Sequence, residues 1–268
     1  MALLEARGLT VSYGGLHAND SIDLDCHAGA MVGLIGPNGA GKTTFIDAIT
    51  GFTPISEGRV VFDGADLAGR TPHQRAALGL TRTFQTLELF EDLDVRDNLI
   101  VAADRPRWYS LLADVARPRR HEQRQRDGVD WALQAMQLEG LAGAMPGDLS
   151  HGQRKLVSVA RALAARPRLV MLDEPAAGLD TAESRLLGAR LRGCLADGTG
   201  MFLIDHDMGL VLTVCDYVYV LDFGRIIAHG TPAEVRSNPE VIAAYLGASA
   251  ATAAAGEPEG QGDPGAAG

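Results

Sequence analysis

The feature that most constrains this chain is the stretch Gly36-Pro37-Asn38-Gly39-Ala40-Gly41-Lys42-Thr43, preceded by the apolar run Met31-Val32-Gly33-Leu34-Ile35. It fits the spacing G-x-x-x-x-G-K-[ST] between a predicted strand and a predicted helix, the context in which that pattern cradles phosphate. The chemistry requires this order. Glycines let the backbone curl so that consecutive N–H groups point inward, and the helix adds the positive end of its dipole. Lys42 can reach β- and γ-phosphates, and the Thr43 hydroxyl can complete the shell of a Mg²⁺. A glycine-rich turn that holds nothing is the poorer reading, because all three fixed positions are filled in the right context. A nucleotide-binding α/β protein is expected.

Composition narrows the class. With 268 residues, 46% of them hydrophobic, the chain can form one large α/β domain or a domain with an inserted subdomain. No stretch reaches the ~18 consecutive apolar residues of a membrane-spanning helix. Residues 1–7 carry no basic region followed by an apolar run, so a cytosolic protein is expected. A formal net charge of −10 argues against bulk nucleic-acid binding. Cys26, Cys194 and Cys215 form no C-x-x-C pair and read as reduced thiols. Lys42 and Lys155 are the only lysines.

Ahead of the phosphate loop, short strands are expected at 3–6 and 21–24, around a loop carrying Tyr13-Gly14-Gly15. Tyr13 reads equally as an adenine-stacking ring or a surface-anchoring aromatic. A helix over 42–50 is stopped by Gly51, a strand over 58–62 ends at Asp63-Gly64, and Pro72 opens a helix near 72–78. Gln85 sits where an extended segment gives way to a loop, facing either solvent or Mg²⁺ and an attacking water. From about 94 to 165 the pattern turns helical, with Asp94 as a cap and Val95, Leu99 and Ala102 on one face. Residues 104–127 are polar and basic and read as a solvated helix face, with contact to a partner or to lipid headgroups as the alternative. Val129, Leu133, Met136 and Leu138 mark another packed helix, broken at Pro146-Gly147-Asp148.

Leu149-Ser150-His151-Gly152-Gln153 opens a helix expected over 154–165. It is either a plain N-cap or a set of N–H groups and a hydroxyl offered to an anion. The apolar strand that follows ends in Asp173-Glu174. Asp173 is placed to bind Mg²⁺ and Glu174 to polarise an attacking water, since adjacent buried acids without a cation are costly. A tight turn at 176–180 leads to a helix over 182–196. The strand 200–204 ends at Asp205-His206-Asp207, the sheet edge where ligands collect, so His206 reads as a γ-phosphate contact. Asp222-Phe223-Gly224, between strands 217–221 and 225–229, matches a kinase tripeptide but stands without the other kinase motifs and reads as a hairpin turn. Short helices at 232–236 and 239–245 close the fold, and 248–268 is expected to be a disordered tail.

Taken together, GPNGAGKTT, Gln85, LSHGQ, LVMLDEP, AAGLD and His206, in this order over roughly residues 3–247, resemble the ATPase subunit of an ABC transporter. The resemblance implies a P-loop ATPase core of mixed or parallel sheet, an N-terminal antiparallel β subdomain and a helical subdomain inserted at about 94–165. It implies ATP and Mg²⁺ as ligands. Tyr13 would stack on adenine, and the loop Gly36, Pro37, Asn38, Gly39, Ala40, Gly41, Lys42, Thr43 and Thr44 would hold phosphates. Thr43, Gln85 and Asp173 would attend the metal, Glu174 would be the catalytic base, and His206 would brace the γ-phosphate. A head-to-tail dimer would bring Ser150, Gly152 and Gln153 of one copy onto the ATP of the other, with Asp180 communicating across it. The family's LSGGQ has glycine where this chain has His151, a departure expected to leave function intact.

A finer likeness involves Arg82-Thr83-Phe84-Gln85, the basic insertion at 104–127 and the ending from Gly224 through Gly247. These are similar to branched-chain amino acid importers, most of all to the longer of that system's two ATPase subunits. The implied partners are membrane-spanning permease subunits, a second ATPase subunit and, indirectly, a solute-binding protein, at the cytoplasmic face of the inner membrane. Urea importers and lipopolysaccharide exporters share parts of the pattern; the basic insertion favours the importer. A soluble ABC ATPase acting on DNA or ribosomes usually carries two cassettes or a coiled-coil arm, and this chain shows one cassette and no heptad run. A P-loop GTPase is opposed by the lack of an N-K-x-D segment.

Overall fold

The computed structural model describes residues 2–83, 89–103, 118–205 and 208–245. Two sheets share the work. β1 (Leu4–Tyr13) and β2 (Leu16–Cys26) make an antiparallel hairpin, after which β3 (Met31–Ile35) crosses into the second sheet. β4 (Glu57–Phe62) returns beside β1 and carries the two-residue β5 (Ala65–Asp66), giving the sheet order β2-β1-β4-β5. The main sheet adds β6 (Leu80–Arg82), β7 (Leu169–Asp173), β8 (Gly200–Ile204), β9 (Tyr217–Asp222) and β10 (Arg225–Gly230), in the order β10-β9-β3-β8-β7-β6. All its neighbours are parallel except the β9–β10 hairpin. The expected mixed sheet and antiparallel N-terminal sheet are therefore present.

The hairpin strands run longer than the expected 3–6 and 21–24. Register shifts between Ala6 and Val11, with Gly8 and Ser21 at positive φ, interrupt the period-2 alternation by which a strand is recognised. At the other hairpin, Phe223 (φ 43°) and Gly224 (φ 78°) both take the left-handed region, the geometry of a two-residue turn matched to strand twist.

Helices fill both faces of the main sheet: α1 (Lys42–Thr50), α2 (Pro72–Ala77), α3 (Val95–Ala103), α4 (Pro118–Ala135), α5 (His151–Ala164), α6 (Thr181–Cys194), α7 (Met208–Val214) and α8 (Pro232–Ser237), with a last turn of helix at 239–245. Asp94 caps α3 as expected, its Oδ1 accepting from the Asp97 N–H at 2.8 Å. Residues 122–127 of α4 are mostly exposed, as a solvated face requires.

The pleat divides the interior. Met31, Ile35, Val170, Leu172, Met201 and Leu203 point to a core shared with α3, α4, α5, α6 and α7. Val32, Leu34, Leu169, Met171, Phe202 and Ile204 point the other way, onto Phe45, Ile46 and Ile49 of α1 and onto the antiparallel sheet. Strands buried on both faces must read as unbroken apolar runs, which is why these three were visible in the sequence. Cys26, Cys194 and Cys215 are buried and free; burial pushes the Cys26 thiol up to about 12 and Cys194 to about 11. No helix among the described residues is long and apolar enough to cross a membrane.

Candidate nucleotide site

The phosphate loop joins β3 to α1 under tight steric control. Gly36 lies so close to β9 that a Cβ would overlap the Leu221 carbonyl oxygen. Gly41, at φ 103°, is the N-cap of α1, and no side chain caps that helix. Asn19 Nδ2 donates to the Gly41 carbonyl at 3.1 Å, so β2 braces the loop from behind. Ala40 is buried, and its carbonyl accepts the Gly224 N–H at 2.9 Å.

Lys42 folds over this loop. Its ammonium donates to the carbonyls of Gly36 at 2.8 Å and Pro37 at 2.9 Å. Burial lowers its pKa, while the charges of Glu174, Asp173 and Asp205 oppose that shift. A cleft of about 440 Å³ opens above, floored by Asn38, Gly39, Gly41, Lys42, Thr43 and Thr44. Glu174 and Ile204 form one wall, and Leu16, Ala18 and Phe223 supply another. Tyr13 ends β1, half exposed, with its hydroxyl 3.4 Å from Thr53 Oγ1, and does not line this cleft.

The acidic pair closes β7. Asp173 is buried, and burial raises its pKa against the hydrogen bond from Arg82. Its N–H donates to Thr83 Oγ1 at 3.2 Å, and its Oδ2 accepts from Arg82 Nη2 at 2.8 Å. Glu174 is one of the few non-glycine residues in the left-handed region, at φ 46°. Its N–H donates to the Ile204 carbonyl at 2.8 Å, and its own carbonyl accepts from Lys155 Nζ at 3.5 Å. The buried Asp205 accepts from the Ala176 N–H at 3.4 Å and so fastens the turn after Glu174 to the end of β8.

Oxygen donors dominate here. A Mg²⁺ is commonly held by one or two carboxylates together with substrate phosphates and waters. The Thr43 hydroxyl and the Asp173 carboxylate fit that demand, and among the described residues no group of three or more His, Cys, Asp or Glu forms a self-sufficient metal cage.

The signature turn, Ser150-His151-Gly152-Gln153, is built differently. α5 begins at His151, three residues earlier than the sequence pattern suggests, because Ser150 is a true N-cap in a complete capping box. Ser150 Oγ accepts the Gln153 N–H at 3.2 Å, and Gln153 Oε1 accepts the Ser150 N–H at 2.8 Å. Gly152 is buried against Glu183 of α6, and the His151 imidazole lies over Gly178. Asp180 caps α6, taking the N–H groups of Ala182 and Glu183 at 2.8 Å each.

Of the residues expected in the site, Asn38, Gly39, Gly41, Lys42, Thr43, Thr44 and Glu174 therefore share one cleft, and Asp173 stands beside Glu174 at the strand end. Ser150, Gly152 and Gln153 do not line it. Gln85 and His206 lie outside the described residues. Asn19, Arg82, Lys155 and Asp205 were not anticipated. The rarity of lysine was the one available hint, since both lysines converge on this region.

A phosphate-cradling loop after a central parallel strand, with an acidic pair on the same sheet edge, defines a P-loop nucleotide hydrolase. The family model described as ABC transporter matches residues 19–177, and that of the branched-chain amino acid ATP-binding cassette transporter matches residues 225–251. The chain is 38% identical over 251 residues to the high-affinity branched-chain amino acid transport ATP-binding protein BraF of Pseudomonas aeruginosa, covering 91% of this chain and 98% of that protein. It is 34% identical over 247 residues to the lipopolysaccharide export system ATP-binding protein LptB of Escherichia coli, covering 92% and 98%. The ADP conformation of MJ1267, an ATP-binding cassette of an ABC transporter, superposes with a TM-score of 0.79 at 31% identity, over 92% of this chain and 99% of that one. The chain belongs to the ATP-hydrolysing, ATP-binding subunits of ABC transporters.

Proposed function

We propose that this subunit couples ATP hydrolysis to branched-chain amino acid import, paired head-to-tail with a second ATPase subunit beneath membrane-spanning permease subunits. The observation that carries the pairing is the separation of the two phosphate-binding elements: the signature turn does not line the cleft floored by the phosphate loop. A second copy or a sister subunit is needed to bring Ser150, Gly152 and Gln153 onto the nucleotide. Residues 1–247 act as one ATPase domain, in which the helical stretch 94–165 carries the signature turn. The match over residues 225–251 and the likeness to BraF support the amino acid importer. The likeness to LptB supports a second reading, lipopolysaccharide export.

In the proposed cycle Lys42 exchanges its loop carbonyls for phosphate oxygens, and Thr43, Gln85 and Asp173 are the residues that would hold Mg²⁺. When bound, that ion would supply charge neutralisation at the transferring phosphoryl group. Glu174 orients the attacking water, and His206 braces the γ-phosphate. Closure follows because the paired state gains contacts to the nucleotide that the separated chains lack. Replacing Glu174 by Gln should trap an ATP-bound pair, seen by size-exclusion chromatography with ATP and Mg²⁺. A variant that stays monomeric and hydrolyses at the normal rate would sink this mechanism. Capture from native membranes in mild detergent separates the substrate readings, through the permease and solute-binding proteins that co-purify.

A further inference from the structure

Arg82 closes β6 and is nearly buried, its side chain 10% exposed. The guanidinium bridges two carboxylates on different elements: Nη1 meets Asp47 of α1, and Nη2 meets Asp173 Oδ2 of β7 at 2.8 Å. The Phe52 ring centroid lies 6.0 Å from the guanidinium carbon. Asp47 follows Thr43 by four residues on α1, so the two stand one turn apart on the same helix face. The bridge therefore runs between α1 and β7 one turn below the Thr43 hydroxyl. Asp173 is thereby held twice, through Oδ2 by the guanidinium and through its N–H by Thr83 Oγ1.

A planar fork between two carboxylates fixes orientation in a way a lysine point charge cannot. With Oδ2 committed to Arg82, Oδ1 is the Asp173 oxygen left to a cation. We propose that Arg82 is a positioning residue for the metal: it holds Oδ2 of Asp173 toward α1 and so aims the remaining oxygen at the Mg²⁺ position beside Thr43. The inference rests on the reading of Thr43 and Asp173 as metal-attending residues. It assigns to Arg82 a role in metal affinity that acts through Asp173 and needs no contact with nucleotide. Groups that orient a ligating carboxylate typically change metal affinity by about 10- to 100-fold when removed.

The test uses the full chain and a fluorescent ATP analogue, titrated first in excess EDTA and then at rising Mg²⁺. In Arg82→Ala, the Mg²⁺ concentration that half-saturates the metal-dependent gain in affinity should rise about tenfold. Affinity in EDTA should stay within about twofold of the unsubstituted chain, which a general loosening of the loop would not permit. Arg82→Lys should recover only part of the loss. An unchanged or lower Mg²⁺ midpoint, or an equal loss of affinity with and without metal, overturns the proposal. Should Arg82→Ala fail to fold by circular dichroism, Asp47→Asn carries the test. It removes the Asp47 carboxylate from the bridge and should raise the midpoint by about threefold; an unchanged midpoint overturns the proposal equally. If the unsubstituted chain binds the analogue with no metal dependence, the underlying reading of Thr43 and Asp173 fails, and the Arg82 role falls with it.

Discussion

The phosphate loop and the signature turn both open a helix with glycine and hydroxyl residues, yet they leave their helix ends in opposite states. At α1 the N-cap is Gly41 and no side chain caps the first turn, while Lys42 rests on carbonyls of its own loop. At α5 two N–H groups are met from within, Ser150 and Gln153 each accepting the other's. An uncapped helix end beside a lysine is a ready anion site. A completed capping box stabilises its helix by about 1 kcal/mol and must be disturbed or extended before it serves a ligand. One region is thus prepared to bind in a single chain, whereas in the proposed pairing the other would act when a partner delivers the phosphate to it.

The largest expected effect separates the two regions outright. Lys42→Ala removes charge-assisted bonds worth about 1.5–3 kcal/mol each, so nucleotide affinity of the isolated chain should fall at least about a hundredfold in a titration with a fluorescent ATP analogue. Ser150→Ala should leave that affinity within about twofold while lowering stability by about 1 kcal/mol in a urea melt and slowing hydrolysis by the paired subunits. Equal losses of single-chain affinity in both variants would erase the distinction.

A smaller effect concerns pH. Burial lowers the Lys42 pKa, so its folded value lies below its unfolded one. The charged form that attracts phosphate is therefore lost on the alkaline side earlier than for an ordinary lysine. Nucleotide affinity measured without Mg²⁺ should begin to fall before the usual lysine range, and Lys42→Arg should flatten the curve even if its absolute affinity is lower. The smallest effect belongs to His151→Gly, which removes an exposed imidazole from above Gly178. Stability should change by less than about 1 kcal/mol, with turnover of the paired subunits retained. A collapse of turnover there would make His151 part of the phosphate contact.

Much of this architecture was legible because local pattern and tertiary demand agree. Met31–Ile35, residues 169–172 and Gly200–Ile204 carry no charged or polar side chain because both faces of the main sheet are covered. Lys42, Thr43 and Glu174 were legible because phosphate chemistry ties residue types to fixed spacing. What could not be read is long-range. Nothing local to Asn19 announces that its amide will meet Gly41, or to Arg82 that it will bridge Asp47 and Asp173. The start of α5 was set too late because its first turn is polar, and a capping box and an anion-binding turn use the same residues. The apolar wall of Leu16 and Phe223 was hidden for a related reason, since each belongs to a different hairpin.

The placement of β3 has a consequence for biosynthesis. Its two neighbours in the sheet are β8 and β9, which lie some way toward the other end of the chain. The phosphate loop is translated early, but the strand that aims it has no sheet partner until β8 and β9, within the last third of the polypeptide, have emerged. At about 5–20 residues per second, the interval is roughly ten to forty seconds. During that time a glycine-rich loop and an apolar strand wait without their sheet neighbours, and the sheet that seats the loop closes only when β8 and β9 arrive.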